Sequence, residues 1–253
     1  MQKLSSKQIN TEGLQIKQDE KTFFWSGKYH EDMNSRETLV TELNSLERFD
    51  PIVPSSYQSC NYLMLGNLSP IVQRQVIERM NKRPSLIVMD TMNFWMQIML
   101  PELLKTISMV DVLTINDEEA RLLTGASSLA CAAEKVLTMG PKYVIIKKGE
   151  HGAMIWGKEG VFVAPAIPLK EVFDPTGAGD TFAGGFIGYL SKSERINFEE
   201  MKKALLMGTV MASFCVEKFG TERIENLKFT DINERLIALK RMISVDVNSI
   251  EII

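Results

Sequence analysis

Histidine, cysteine and net charge are all scarce in this chain of 253 residues. Two histidines, His30 and His151, and three scattered cysteines, Cys60, Cys131 and Cys215, leave too few ligands for a Cys/His zinc site. The odd, widely spaced cysteines read as small core residues in a reducing compartment, not as a disulfide framework. No apolar run approaches the length of a membrane span, and no signal-peptide pattern opens the chain, so the cytoplasm is the expected location. A net charge of −3 offers no basic footprint for nucleic acid or for an anionic membrane. There is no internal repeat and no low-complexity segment. Two common phosphate-binding signatures are also missing. No G-x-x-x-x-G-K-[ST] string occurs, and Phe182 stands where a dinucleotide fingerprint needs its third glycine.

What is present is a chain that is 45% hydrophobic, enough for one large domain with a substantial core. From Tyr57 onward, short apolar runs alternate with amphipathic segments. Strands are expected at Tyr62–Leu65, Leu86–Asp90, Val110–Ile115 and Tyr143–Lys147. Helices are expected at Pro70–Asn81, at Phe94–Thr106 with a break at Pro101, at Glu118–Leu123, Ser128–Met139, Phe198–Val216 and Asp231–Ile243. This alternation predicts an α/β fold with a mostly parallel sheet covered by helices on both faces. Gly152–Val163 reads as an antiparallel hairpin added to it. In such sheets ligands gather at the carboxyl ends of the strands, where Asp90, Asn116 and Lys147 fall. Earlier, Thr22–Trp25 is rich in β-formers and Ser26–Gly27 reads as a turn, with Lys28–Tyr29 beginning the return strand. His30–Pro54 is polar and shows no core helix.

The chain is organised around Asp174-Pro175-Thr176-Gly177-Ala178-Gly179-Asp180. This glycine-rich turn opens into a helix whose Phe182, Phe186 and Leu190 share one apolar face. The first N–H groups of a helix lack intrahelical partners and carry partial positive charge, which suits them to an anion, most often phosphate. Gly177 and Gly179 permit close approach to a ligand. Asp180 at the same place has two readings: a helix cap, or a general base beside an anion site. Asn116 and Glu119, three apart after a strand, are either a capping box or the oxygen donors of a Mg²⁺–phosphate site. Lys148, Gly149, Glu150 and Gly152 form either a tight turn with solvated charges or a nucleotide-contacting loop. Asp174 and Thr176 organise the turn before the helix. His30, Asp32, Asn34 and Arg36 cluster as a solvated loop or as a reader of substrate hydroxyls or phosphate. Asp90 and Asn93 are weaker substrate candidates, and the three tryptophans read as packing.

DPTGAGDTFAGGF resembles the second signature of the ribokinase-like, or PfkB, carbohydrate kinases. The similarity extends through Asn116-Asp117-Glu118-Glu119-Ala120, Lys147-Lys148-Gly149-Glu150-His151-Gly152 and the Ala212-Ser213 helix, from about Asn10 onward. The resemblance implies a small β lid in residues 1–56 and a nucleotide-binding α/β domain in residues 57–253. It implies ATP and Mg²⁺ as cofactors. Asp180 would act as base, with the N–H groups of Gly177, Ala178, Gly179 and Asp180 as anion hole. Glu119 would meet Mg²⁺ through water, Asn116 and the Lys148–Gly152 loop would contact the nucleotide, and Ser213 and Gly220 would border the adenine. Asp174 and Thr176 match a monovalent-cation position, so K⁺ stimulation is expected. The implied reaction is ATP-dependent phosphorylation of a hydroxymethyl group on a sugar, or alternatively on a nucleoside. The family's early strands and its Gly-Gly turn have no counterpart before Gly184-Gly185, so the chain looks N-terminally short. That opens a second alternative, a non-catalytic nucleotide-binding or interaction protein, with a dehydrogenase a distant third. An unpaired sheet edge and an exposed lid strand would follow, the latter suggesting a homodimer through the lid.

Overall fold

The computed structural model describes residues 2–246. The chain begins with α1 (Gln2–Ser6), β1 (Phe24–Tyr29) and β2 (Arg36–Glu42), continues through β3 (Tyr62–Leu65), α2 (Pro70–Glu78) and β4 (Leu86–Asp90), and then forms α3 (Asn93–Ile98) and α4 (Leu100–Ile107). Next come β5 (Val112–Asn116), α5 (Asp117–Thr124), α6 (Leu129–Leu137), β6 (Tyr143–Lys147), β7 (Ala153–Gly157) and β8 (Gly160–Ala164). The last elements are α7 (Ala178–Ser193), α8 (Phe198–Cys215), α9 (Glu222–Glu225) and α10 (Phe229–Ile243). Residues 247–253 of the expected second domain lie outside the described residues.

Strands β3 to β8 form one six-stranded sheet in sequence order. β3 to β6 run parallel, and β7 and β8 return antiparallel as the expected hairpin. The central strands are mostly apolar up to their last residues because helices cover both faces, and the period of two divides them. Ile87, Met89, Leu113, Ile115, Val144 and Ile146 face one helical layer, with Leu103, Ile107 and Val136. Leu86, Val88, Val112, Tyr143 and Ile145 face the other, where Phe182, Phe186 and Leu190 of α7 meet Met201, Ala204 and Leu205 of α8. The anticipated apolar stripe of α7 is thus the core of the second layer. Pro101 sits in the first turn of α4, where its missing N–H costs nothing, so it restarts the helix instead of kinking it. β3 forms one edge of the sheet, and among the described residues nothing pairs with its outer side.

A separate two-stranded antiparallel sheet, β1 with β2, stands where the small β lid was expected. Two expectations fail here. Ser26–Gly27 is not a turn but a register shift inside β1, and Lys28–Tyr29 ends that strand. The hairpin turns at residues 30–35 instead, because the Asp32 carboxylate accepts the N–H groups of Asn34 and Ser35 and fixes the reversal there. The polar 36–42 run is the return strand, and most of its residues are exposed. Among the cysteines only Cys215 is buried. Cys60 is half-buried and Cys131 exposed, because Cys131 lies on the outer face of α6.

Candidate active site

The site is built at the carboxyl ends of β4, β5 and β6, whose last residues are Asp90, Asn116 and Lys147. Facing them is the start of α7, with Gly177 as N-cap at φ 81°. That left-handed conformation suits glycine and turns the chain abruptly into the helix. Ahead of it, the Asp174 carboxylate accepts the N–H of Thr176 at 2.9 Å. Of the four expected anion-hole residues, Ala178 donates its N–H to the Pro175 carbonyl at 3.1 Å. Among the described residues the N–H groups of Gly177, Gly179 and Asp180 find no partner.

Asp180 occupies the third helical position, where a carboxylate commonly bonds back to the N-cap. It does not: no hydrogen bond reaches its carboxylate among the described residues, and α7 has no side-chain cap. The group is instead part of the wall of a cleft of about 310 Å³. Phe23, Leu43, Phe49, Met92, Phe94 and Trp95 are among its apolar lining residues, with Asn67 and Ser69 beside them. The carboxylate opens onto solvent, but the protein around it withdraws enough water to raise it above the ordinary carboxylate range. The negative charge of Asp90 adds to the rise, while Lys147 and Arg36 oppose it.

Beneath the turn, two of the strand-end residues meet. The Nζ of Lys147 donates to both oxygens of Asp90, at 3.1 and 3.2 Å. It lies 3.2 Å from where a side chain on Gly179 would begin, directly under the start of α7. Burial disfavours the ammonium, but the charges of Asp90, Glu119 and Asp180 outweigh it and leave Lys147 raised. Asp90 also takes the N–H of Thr91, and Gln73 holds the Asp90 carbonyl. Its carboxylate thus accepts from Thr91 and from Lys147. Asn93 is exposed at the start of α3 and is not one of the cleft-lining residues.

Asn116 and Glu119 form a complete capping box. Asn116 Oδ1 accepts the Glu119 N–H at 2.7 Å, and Glu119 Oε2 accepts the Asn116 N–H at 2.8 Å. This arrangement does not exhaust Glu119. It is 6% exposed, and burial pushes its carboxyl up to about 7, with Lys147 pulling the other way. Its Oε1 accepts no hydrogen bond among the described residues. One free oxygen fits a water-mediated Mg²⁺ completed by phosphate, which needs few protein ligands. An all-protein metal cage does not fit: no group of three or more acidic, His or Cys side chains is placed to hold one among the described residues.

The loop after β6 meets the lid. Asn34 Nδ2 donates to Glu150 at 2.8 Å, and the Glu150 N–H donates to Asn34 Oδ1 at 3.3 Å. The Asn34 amide fills the space a side chain at Gly149 would take, which gives that glycine a packing reason of its own. Gly152 closes the turn by accepting the Lys148 N–H. Ser213 lies away from this cluster, with its hydroxyl donating to the Val210 carbonyl and accepting from Arg235. Gly220 follows α8 at φ 59°. Trp95, expected as packing, also contributes to the cleft wall and donates its Nε1–H to Asn67 at 3.0 Å. Lys147 was visible as a lysine ending an apolar strand and opening the Lys147–Gly152 stretch, but its pairing with Asp90 was not. Asn67 and Trp95 carried no such sign.

Comparison with known proteins adds three findings. The pfkB family carbohydrate kinase model matches residues 1–226. A cytidine kinase from Thermococcus kodakarensis is 31% identical over 225 residues, covering 87% of this chain and 77% of its own. The fold matches that of a putative ribokinase II from E. coli solved with ATP and Mg²⁺, at TM-score 0.75 and 18% identity, covering 93% of this chain and 77% of that one. It also matches the Methanocaldococcus jannaschii nucleoside kinase, at TM-score 0.72 and 21% identity, covering 94% and 75%.

Proposed function

The chain belongs to the pfkB family of carbohydrate kinases, and from that premise we propose that it phosphorylates a hydroxymethyl group at the cleft bordered by Asp180. It is a phosphotransferase that uses ATP. The observation that carries the residue assignment is the Asp180 carboxylate, uncapped at the start of α7 beside the unpaired N–H groups of Gly177 and Gly179.

In this reading the acceptor hydroxyl passes its proton to Asp180 as its oxygen bonds to the γ-phosphorus. The bond from that phosphorus to the β,γ-bridging oxygen breaks, and ADP leaves with the electron pair. The N–H groups of Gly177, Gly179 and Asp180 receive the oxygens of the moving phosphoryl group. Lys147, held by Asp90, adds positive charge beneath them. Mg²⁺, when bound near Glu119, neutralises charge on the β and γ oxygens. Asn116 and the Lys148–Gly152 loop lie on the nucleotide side, with Ser213 and Gly220 further along it. Asp174 and Thr176 form the monovalent-cation position, so replacing K⁺ with a larger inert cation lowers turnover. Residues 1–56 act as lid and connection, and the unit from residue 57 as the nucleotide-binding domain. The exposed strand β2 pairs copies into a homodimer, which light scattering tests.

The cleft favours one acceptor class over another. A bare sugar presents hydroxyls all round, yet Phe23, Phe49, Phe94 and Trp95 present mostly apolar, aromatic surface. A nucleoside, with a flat base beside its ribose, uses that surface. The cytidine kinase relative points the same way. The test is ADP formation from ATP with cytidine, adenosine, D-ribose, a ketohexose and sugar phosphates in parallel. Turnover with a nucleoside above that with D-ribose supports the nucleoside reading. Turnover confined to free sugars removes it, and ATP binding with no turnover on any acceptor removes the kinase reading as a whole.

A further inference from the structure

One polar side chain in the cleft wall has its orientation decided by a neighbour. Asn67 follows the end of β3, where Gln73 Nε2 donates to the Gly66 carbonyl at 2.7 Å and anchors the chain. Like Asp180, Asn67 lines the cleft. The indole of Trp95 is a donor only. Its Nε1–H reaches Asn67 Oδ1 at 3.0 Å, so the amide oxygen is spent on the ring and the amino group must face the other way. Trp95 is itself held in place. It is 6% exposed, and its ring meets Phe94 edge to face with centroids 4.8 Å apart.

The Asn67 amino group has no strong acceptor. Among the described residues its one partner is the Met92 sulfur at 3.0 Å. A thioether is a weak acceptor, and an amino group carries two N–H donors. One donor is therefore left for a ligand. Met92 lines the same cleft, which puts that donor at the cleft wall.

The rest of the wall limits what can meet it. Among the described residues that line the cleft, Asp180 is the one that ionises, and none is a cation. A phosphorylated acceptor finds no countercharge on that wall, whereas a neutral one needs none. Around Asn67 the neighbours are Met92, Trp95 and, against Trp95, Phe94. Apolar and aromatic surface of this kind suits the flat face of a base better than the hydroxyls of a ribose. An oriented donor at the rim of that surface then meets an acceptor on the edge of the base, a carbonyl oxygen or an unprotonated ring nitrogen.

We propose that Asn67, held by Trp95, reads the base of the nucleoside acceptor by donating from Nδ2 to an acceptor atom on the base edge. This rests on the nucleoside reading above and adds a specificity-determining residue to it. An asparagine free to rotate would offer its oxygen as readily as its amino group. The indole N–H removes that choice, so bases are sorted by the acceptor they present there.

The test compares substrates that share a ribose and a flat ring and differ in their polar edge. Cytidine and adenosine are set against β-D-ribofuranosylbenzene, whose phenyl ring has no acceptor. kcat/KM with ATP and Mg²⁺ is measured for wild type, Asn67→Ala and Asn67→Asp, each checked by melting temperature. Wild type is expected to favour the better nucleoside over the phenyl riboside by about tenfold or more, chiefly through KM. Asn67→Ala is expected to bring the two within about threefold. Asn67→Asp keeps an oxygen for Trp95 and loses only the amino group, so it removes the preference in a site of unchanged shape and carries the test if Asn67→Ala fails to fold. A purely structural role lowers both substrates alike and leaves the preference as it was. That result overturns the proposal, as does a wild type with no preference, and in either case nucleoside turnover keeps the nucleoside reading. A wild type that phosphorylates D-ribose but no nucleoside overturns the nucleoside reading and this contact together and leaves the kinase reading in place.

Discussion

Lys147 bonds both carboxylate oxygens of Asp90, joining the ends of two parallel strands directly beneath the first turn of α7. Asp90 is buried and the Lys147 side chain is only 17% exposed, so each depends on the other for its charge to be tolerated. Replacing Lys147 by Met leaves a buried carboxylate alone. Urea unfolding is expected to show a loss of about 3–5 kcal/mol. Adding Asp90→Asn recovers part of it, because the stranded charge is then gone. Equal stability of Lys147→Met and wild type would show that the pair carries no structural weight.

Asp180→Asn removes the proposed proton acceptor and keeps the shape. Turnover with the best acceptor is expected to fall by about 10²–10⁴, with ATP binding nearly unchanged. In the wild type the raised Asp180 carboxyl places the acidic limb of kcat/KM above the ordinary carboxylate range, since activity is lost as pH falls through that raised value. A wild-type acidic limb at or below the unperturbed carboxylate value would contradict the assignment.

Glu119 gives a pH dependence of stability with a definite sign. Its carboxyl rises from 4.5 to about 7 on folding, chiefly through burial. Below 4.5 both states hold the proton and no penalty exists. Between 4.5 and 7 the unfolded chain gives up its proton first, so folding stability falls as pH rises. Above 7 the full penalty stands, at most about 3 kcal/mol. Glu119→Gln keeps an oxygen for the Asn116 N–H and cannot ionise. Measured in a chelator, its stability advantage over wild type should grow between pH 5 and pH 8. Parallel profiles would show that Glu119 is not buried as described.

Phe186 is fully buried between the sheet and α8. Phe186→Ala is expected to cost about 3–5 kcal/mol in chemical denaturation, because the close-packed layer collapses only partly around the gap. A cost under about 1 kcal/mol would mean that the α7 stripe is not the core of that layer.

Much of this was legible along the chain. Tyr143–Lys147 ends where its apolar run ends, and Pro101 and Gly125 mark helix limits, because turn and cap chemistry acts over a few residues. The lid was legible only in part. Ser26–Gly27 has the composition of a turn, but Asp32 offers the chain a better-bonded reversal six residues on, and a hairpin takes the turn its hydrogen bonds close. The tie from Asn34 to Glu150 spans 116 positions and left no local trace.

The amino-acid sequence by itself determined the layered α/β order, the apolar stripe of α7 and the glycine turn with its carboxylate, since period and turn chemistry are short-range. Only the tertiary structure decided that Asp180 stands uncapped in an aromatic cleft and that Lys147 bonds Asp90 beneath the start of α7. Those facts are meetings between segments far apart in the chain, and the packing of strand ends against a helix start, not any local preference, brings their charges within reach of one another.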